Sequence, residues 1–436
     1  MNNNKIKLAV AGAVLSAASV ANAGIIIPAG DWTIDINGNV NAFATWNSHD
    51  DLRTDDAVAG GITGYADADG ENDNQGIGTG LLPAWLGFTG TTRQNDVDVS
   101  FTISMQPGVS ENSFTGDNGS DAAYSQTLFR QAFITFGDKS WGSVKLGKDL
   151  GIFAGQAILN DMTLLGVGGG SYGSGAVTTL GGIGSGYIYP AWKGQVAYTT
   201  PNMNGFTATI GITNPNQGTQ SNAVAGVGVA GDTVSTELYQ DRFGIEGQLM
   251  YEWTGDVAGK VWASGASYDV TGMVSTGVHD SYTASVYDIG ATVSTGNLSV
   301  TGYYYDGNGV GTTFLGSLGA FADTGSDKLR RRDSDGGYLQ ATYVIPTGTK
   351  LGVAYGVSNL DEASGENQVS IDAAYLAGND AYLVDKNERW TVGAYHPLTK
   401  HLNLVAEYNN IQSESHKAGG KQYETETFSL GAILFF

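Results

Sequence analysis

The last nine residues of the chain, Phe428 to Phe436, limit most strongly what it can fold into. Alternate positions in this stretch are Phe428, Leu430, Ala432, Leu434 and Phe436. Because a β-strand sends successive side chains to opposite faces, these five form one apolar face. An unprotected apolar edge strand invites aggregation, whereas a strand that closes a membrane barrel has two neighbours and faces lipid. We therefore expect a membrane-barrel strand, with the terminal strand of a soluble β-sandwich as the alternative.

The first 23 residues have the organisation of a secretory signal peptide. Lys5 and Lys7 precede a short apolar run that ends at Val20, and Ala21-Asn22-Ala23 is a typical cleavage site. We expect a single domain over 24–436. No later segment has the roughly 18 consecutive apolar residues that a membrane helix needs, so an exported chain of this kind spans a membrane only as strands.

Composition excludes several classes of function. The chain has no cysteine, so it has neither disulfides nor thiol chemistry, and its net charge of -22 disfavours nucleic-acid binding. Two enzyme-like patterns occur, G-x-S-x-G over 169–173 and G-x-G-x-x-G over 226–231. Both lack the strand–turn–helix setting that such motifs require. We therefore expect no enzymatic activity and no cofactor.

Alternating strands separated by short turns and longer loops fill the rest of the chain. The first strand is predicted over Thr33 to Trp46, and we count 16 strands with seven short turns and eight longer loops. Strands of this length suit a membrane barrel. The segment from Asn359 to Glu388 contains the alternating residues Val369, Ile371, Ala373 and Tyr375. We assign it to a loop; as a strand pair it would raise the count to 18.

Two neighbouring segments carry a resemblance to a known family. Residues 130–137 (RQAFITFG) and 142–151 (GSVKLGKDLG) resemble the general trimeric porins of Gram-negative bacteria. The resemblance implies an all-β, 16-stranded antiparallel barrel in the outer membrane, a homotrimer, and contact with lipid and lipopolysaccharide. It further implies that the barrel assembly machinery recognises Phe436, and that a third loop, about 149–189, folds inward and narrows the pore.

The same resemblance implies which residues form the constriction. In the family, acids on the inward loop face basic residues on the opposite wall, and the field across the pore sorts solutes. Asp161 resembles the loop acid, Arg130 a wall arginine and Lys148 the arginine that opens the loop. Trp85 and Asn39 stand where relatives often carry basic residues, which weakens the charge pair. Strict alternation places Lys148 on the outward face with Val144 and Leu146.

Positions predicted to face the lumen favour acids over bases. The acids are Asp35, Asp98, Glu246, Glu252 and Glu407, and the bases are Arg130, Lys193 and Arg242. Strand alternation and the inward-loop resemblance imply passive diffusion of small hydrophilic solutes, and this excess of acids predicts a preference for cations. The alternative is a substrate-specific channel for a sugar or oligosaccharide, because Trp85 with Tyr172 or Tyr189 offers an aromatic stacking surface.

Two charged loops have competing interpretations. Asp67, Asp69 and Asp73 have calcium-like spacing without the downstream glutamate of an EF-hand. We prefer a solvated acidic loop there and assign no metal site. Lys328 and Arg330-Arg331-Arg332 form a basic cluster that either meets lipopolysaccharide phosphates or the pore mouth, or is balanced by Asp327, Asp333 and Asp335.

Overall fold

The computed structural model describes most of the chain beyond the predicted signal peptide. The described residues are 24–50, 57–64, 72–108, 127–169, 178–214, 219–221, 235–237, 242–275, 277–313, 315–323, 325–366, 381–417, 419–420 and 422–436. The signal peptide predicted over 1–23, with Asp67, Asp69, Ser171 and Tyr172, therefore lies outside them. Among the described residues, no helix has both the length and the apolarity to cross a membrane.

The described elements are almost all β-strands. They are β1 (Ile25–Ala29), β2 (Trp32–His49), β3 (Ala57–Ala59), β4 (Asp73–Gly78), β5 (Trp85–Gln94), β6 (Val97–Pro107), β7 (Thr127–Asp138), β8 (Gly142–Leu150), α1 (Gly155–Asn160), a 3-10 helix (Met162–Leu165), β9 (Trp192–Thr199), β10 (Phe206–Thr213), β11 (Thr219–Ser221), β12 (Ser235–Glu237), β13 (Gly244–Trp253), β14 (Val257–Ser275), β15 (Val278–Thr295), β16 (Leu298–Asn308), β17 (Ala320–Asp323), β18 (Lys328–Arg331), β19 (Asp333–Val344), β20 (Lys350–Leu360), β21 (Ala381–Pro397), β22 (Leu402–Ser415) and β23 (Tyr423–Phe435).

Sixteen of these strands close into one antiparallel barrel, which confirms the predicted fold. The ring is β2, β5 to β10, β13 to β16 and β19 to β23, each paired with the next. β2 closes it by pairing with β5 over its first half and with β23 over Asn39–His49. The first short turn lies at Asn95 and Asp96, whose positive φ values of 49° and 63° suit a tight hairpin.

The barrel is apolar outside and polar inside. On β23, Phe428, Leu430 and Leu434 are each more than 40% exposed, whereas Thr427 and Ser429 are fully buried on the other face. The same alternation recurs around the ring. A water-soluble protein buries its apolar face, so this inverted pattern indicates a barrel that faces lipid.

Exposed aromatic residues form belts at two levels of the outer surface. Towards the long loops, Trp46 lies 5.8 Å from Phe428 and Tyr355 lies 4.6 Å from Trp390, measured between ring centroids. Towards the short turns, Tyr251 stacks on Trp253 at 6.0 Å. Such belts mark the two interfaces of an outer-membrane barrel.

The predicted loop pattern needs two corrections. The fifth connection is not a long loop: β14 and β15, of 19 and 18 residues, are separated by only two positions, 276 and 277. In the ambiguous segment from Asn359 to Glu388, the first two residues continue β20 and the last eight belong to β21. Residues 367–380, which include Val369 to Tyr375, lie outside the described part, and the ring has 16 strands rather than 18.

Candidate functional site: a narrowed lumen

The third loop, described over 151–169 and 178–191, leaves the wall after β8 and crosses the barrel interior. It contains α1 and the 3-10 helix, and its backbone reaches strands far around the ring. Ala157 O accepts a hydrogen bond of 2.8 Å from Tyr338 on β19, and Gly186 N donates one of 3.0 Å to Ser358 on β20. The predicted inward fold of the third loop is therefore present.

Three buried carboxylates of the wall hold the backbone of this loop. Glu246 Oε2 accepts hydrogen bonds from the N–H groups of Ile152 and Phe153, at 2.7 and 2.9 Å. Glu407 Oε2 accepts from those of Val167 and Gly168, at 2.8 and 2.9 Å. Asp288 Oδ2 accepts from Ala154 N at 3.3 Å. The acids therefore stand on the wall and the loop presents amides to them.

Each of these wall acids has further polar partners. Glu246 pairs with Lys193 at 2.6 Å and accepts a hydrogen bond from Tyr268. Asp288 accepts from Ser264 at 2.7 Å and from Tyr303 at 3.1 Å; Glu407 accepts from Tyr395 at 2.6 Å. A buried carboxylate is tolerated only when its lone pairs are satisfied. Because hydrogen bonds and an ion pair already occupy their oxygen atoms, these three carboxylates hold the loop and are not free to bind a passing ion.

Asp161 is buried at the end of α1 and organises the loop itself. Its side chain accepts hydrogen bonds from the N–H groups of Thr163 and Gly182, at 2.9 and 3.0 Å, and from the Tyr187 hydroxyl at 2.9 Å. Arg389 of β21 lies 3.7 Å from it. The loop acid thus faces Arg389, a residue that the sequence analysis did not single out.

A second segment also enters the lumen. Between β4 and β5, residues 79–84 leave the wall, and Leu81 N donates a hydrogen bond of 2.9 Å to Gly166 O of the third loop. Asn39 and Asn41 hold this segment, because their side-chain amides donate to the carbonyl groups of Pro83 and Leu82, at 2.9 and 3.0 Å. The lumen is therefore narrowed from two directions.

Apolar packing fixes the third loop against the wall. Phe153, Ala157, Tyr187 and Ile188 of the loop are completely buried. The ring centroid of Tyr187 lies 5.9 Å from that of Tyr338, and the Tyr338 ring stacks on the Tyr303 ring with 5.5 Å between centroids. This packing buries the aromatic rings under the loop, away from any passing solute.

Lumenal cations lie against aromatic rings. Lys145, Lys193, Lys260 and Lys350 lie 5.1, 5.3, 5.8 and 4.7 Å from the ring centroids of Phe133, Tyr268, Trp262 and Tyr395. A cation above a ring face is stabilised by the ring quadrupole. Lys145 also pairs with Asp149 at 2.5 Å. Lys260 instead donates to Gln156 Oε1 of α1, at 3.1 Å.

The structure separates the residues predicted to form one constriction. Asn39 and Trp85 are neighbours in the β2–β5 ladder, and the Arg130 guanidinium lies 6.0 Å from the Trp192 ring. Lys148, in contrast, lies in the outward row of Val144 and Leu146 and donates to Phe129 O at 3.0 Å. Lys148 is thus not brought together with Asp161, because β8 keeps its strict alternation as far as Lys148 and leaves this side chain on the outer face.

The residues predicted to face the lumen divide into three groups. Lys193, Glu246 and Glu407 are inward and fully buried. Asp35, Asp98 and Glu252 lie in inward rows near the short turns, where Asp98 pairs with Arg93 at 2.7 Å. Arg242 needs a correction: it is exposed before β13 starts and pairs at 2.9 Å with Asp269 in an outward row of β14.

Several site residues were missed by the sequence analysis. These residues are Asp288, Lys260, Lys350 and Arg389, none of which belongs to a recognisable sequence motif. Strand parity alone places all four on the inward face. Their contacts with the loop had no sequence signal, because the loop contributes mainly backbone groups.

The basic cluster of the sixth loop is largely neutralised by acids. Lys328 pairs with Asp280 at 3.3 Å, Arg330 with Asp323 at 2.7 Å and Arg332 with Glu366 at 2.5 Å. Hydrogen bonds from Ser326 and Arg330 lower the pKa of Asp323. These partners differ from the predicted Asp327, Asp333 and Asp335. Among the described residues, no group of three or more His, Asp or Glu side chains is placed to hold a metal.

A closed barrel with an apolar exterior, a polar lumen and an inward loop is the architecture of an outer-membrane channel. Comparison with protein families agrees: the Gram-negative porin family matches residues 8–416, so the chain belongs to the Gram-negative porins. The family and the fold are those of non-enzymatic channels.

Solved porin structures share this fold at low sequence identity. The outer membrane channel DcaP of Acinetobacter baumannii has a TM-score of 0.63 and 16% identity, covering 94% of this chain and 99% of that one. OmpF of Salmonella typhi has a TM-score of 0.56 and 15% identity, covering 94% of this chain and 100% of that one. The anion-selective porin of Comamonas acidovorans has a TM-score of 0.55 and 14% identity, covering 93% of this chain and 100% of that one. A search of curated proteins finds no match.

Proposed function

We propose that the protein is a passive diffusion channel for small hydrophilic solutes and ions. The observation that carries this proposal is the inverted side-chain pattern of the closed barrel, which exposes apolar side chains on its outer surface and turns polar side chains such as Thr427 and Ser429 inward. A predicted signal peptide exports the chain, the short turns face the periplasm and the long loops face outward.

The assembled channel is proposed to be a homotrimer in contact with lipid and lipopolysaccharide. Phe436 is proposed as the signal for the barrel assembly machinery. Its backbone exchanges hydrogen bonds with Gly38, donating at 3.0 Å and accepting at 2.8 Å, which completes the β2–β23 seam. Recognition of this residue would act on the strand that closes the barrel.

A preference for cations is proposed to arise at the channel mouths. Acids outnumber Lys and Arg by 43 to 21 in the whole chain, so the protein's field attracts cations. The inward acids Glu246 and Glu407 contribute little, because loop amides and Lys193 already occupy them. The preference should therefore be weak and fall as salt screens the mouth charges.

A substrate-specific channel is the second candidate. It is favoured by the two segments that narrow the lumen, since selection among solutes requires close contact. A sugar-stacking surface at Trp85 has less support, because that ring is only 8% exposed and Tyr172 lies outside the described residues. Selection by charge is better supported than stacking.

Liposome swelling tests the diffusion proposal. Vesicles that contain the folded protein should swell in isotonic solutions of small sugars, at rates that fall steeply as solute size increases. Heat-unfolded protein is the control. Swelling no faster than in protein-free vesicles, for the smallest solute tested, would contradict the proposal.

A further inference from the structure

Part of the first loop, residues 57–64, is folded into the outer mouth of the barrel, and we call it the mouth segment. Its strand β3 pairs in parallel with the start of β21. Val58, Ala59 and Ile62 are almost completely buried. A Cβ atom on Gly184 of the third loop would lie 3.0 Å from Ile62 Cγ2, so the mouth segment is in contact with the third loop. Its position therefore bears on the width of the outer mouth.

Uncharged wall residues hold the backbone of the mouth segment. Ser413 Oγ accepts a hydrogen bond of 3.0 Å from Ile62 N, and Thr425 Oγ1 accepts one of 3.0 Å from Gly64 N. No residue of the mouth segment has a titratable side chain. Its attachment therefore depends on wall groups and on the side chains that orient them.

His49, the last residue of β2, takes part in this attachment. The ring is 5% exposed, and a Cβ atom on Gly64 would lie 2.4 Å from its Cε1 atom. His49 Nε2 lies 2.8 Å from Asn74 Nδ2, and Nδ1 lies 3.0 Å from Thr425 Oγ1. The Asn74 amide is oriented by Asn47, whose Nδ2 donates to Asn74 Oδ1 at 2.7 Å. Because an amide nitrogen only donates, Nε2 accepts and the ring is neutral, with its proton on Nδ1.

Protonation of His49 conflicts with this arrangement. A second N–H group at Nε2 would point at the Asn74 amide donor, and the charge would lie under the mouth segment, where water does not solvate it. His49 lies beyond Trp46 of the outer aromatic belt and therefore outside the membrane-spanning part. Burial lowers the pKa of His49.

Few charged groups offset the cost of a charge on His49. Asp73 of β4 acts against the lowering of the pKa, but it is exposed and water screens it. Glu424 of β23 lies in the outward row, away from the ring. Asp50 accepts a hydrogen bond of 3.0 Å from Glu424 N. A charged His49 therefore gains more from water than from these acids.

We propose that protonation of His49 detaches the mouth segment from the wall and widens the outer mouth of the channel. The inference rests on the proposed channel function and adds a control by pH to it. The attached state has the lower pKa, so attachment is favoured at neutral pH and is lost as the pH falls. Between the ordinary histidine pKa of about 6.5 and the lower pKa of the attached state, each pH unit reduces the ratio of attached to detached protein about tenfold.

Single-channel recording as a function of pH tests this inference. As the pH falls from about 7.5 to about 4.5, across the range in which histidine titrates, the wild-type conductance should rise relative to that of His49→Gln. Glutamine keeps neutral hydrogen-bonding groups at this position and cannot be protonated. The comparison of two proteins removes the contribution of acids that titrate in both. His279→Gln is the matched control, because His279 is exposed on β15, and it should respond as the wild type does.

A reversible disulfide between the mouth segment and the wall gives a second test. The chain has no cysteine, so Gly61→Cys with Ser413→Cys would add one thiol pair. A Cβ atom on Gly61 would lie 3.1 Å from Ser413 Cβ, close to the separation of about 3.8 Å in a disulfide. The oxidised pair should abolish the rise in conductance at acid pH, and a phosphine reductant should restore it.

The possible outcomes separate the inference from the channel function. Equal pH dependence in the wild type and His49→Gln would overturn the inference, as would a rise that persists in the oxidised cysteine pair. If His49→Gln does not fold, the cysteine pair makes the same test. Failure of the pair to oxidise in folded protein at neutral pH would contradict the attached position. Absence of wild-type current at every pH would instead contradict the channel function itself.

Discussion

At the scale of single residues, the charges of the narrowed lumen match the family resemblance only in part. The resemblance placed acids on the loop and bases on the wall. Here Glu246, Asp288 and Glu407 of the wall hold loop amides, while the loop acid Asp161 is buried against Arg389 and Tyr187. Carboxylates therefore serve to hold the loop in place across the lumen.

Glu407→Gln should loosen the third loop. The change replaces a carboxylate that accepts from Val167 and Gly168 with a neutral amide, which costs about 2 kcal/mol, or roughly thirtyfold in the population of the detached loop. Single-channel records should then show larger and noisier current. Glu426→Gln, an outward position on β23, is the control. Identical current noise in both variants would contradict the anchoring role.

At the scale of elements, the wall strands were predictable and the loop placement was not. Alternation identified β2 and β23 because each strand has one lipid face and one lumen face. The long β14–β15 hairpin was missed, since its inner face carries Trp262, Tyr268 and Val270 buried by long-range packing. That packing depends on contacts distant in sequence, so local alternation gives no indication of it.

Gly356→Ala should displace the third loop from β20. A Cβ atom at Gly356 would lie 2.1 Å from Ser185 O of the loop backbone, so the loop must move. We expect a larger single-channel conductance and a lower unfolding temperature. Gly302→Ala is the matched control, because its Cβ would meet nothing closer than a Leu339 methyl group at 3.8 Å. Equal conductance in the two variants would contradict the packing of the third loop against Gly356 of β20.

At the scale of the whole molecule, the terminal strand and the residues 130–151 were enough to predict a 16-stranded porin barrel. Individual site residues were less predictable, as Lys148 and Arg242 show. Lys148 follows the strict alternation of β8, whereas Arg242 precedes the first residue of β13 and escapes it. Side-chain alternation therefore predicts the inward or outward direction of a residue inside a paired strand, but not beyond the ends of the strand.

Planar-bilayer recording of the purified, folded protein in a potassium chloride gradient tests the central claim most directly. A narrowed, water-filled lumen predicts stepwise currents of small unit size, grouped in threes if the barrels form a homotrimer, with a weak reversal potential on the cation side. Folded barrel that inserts into the bilayer and carries no current would contradict the claim that the anchored loop leaves a passage open.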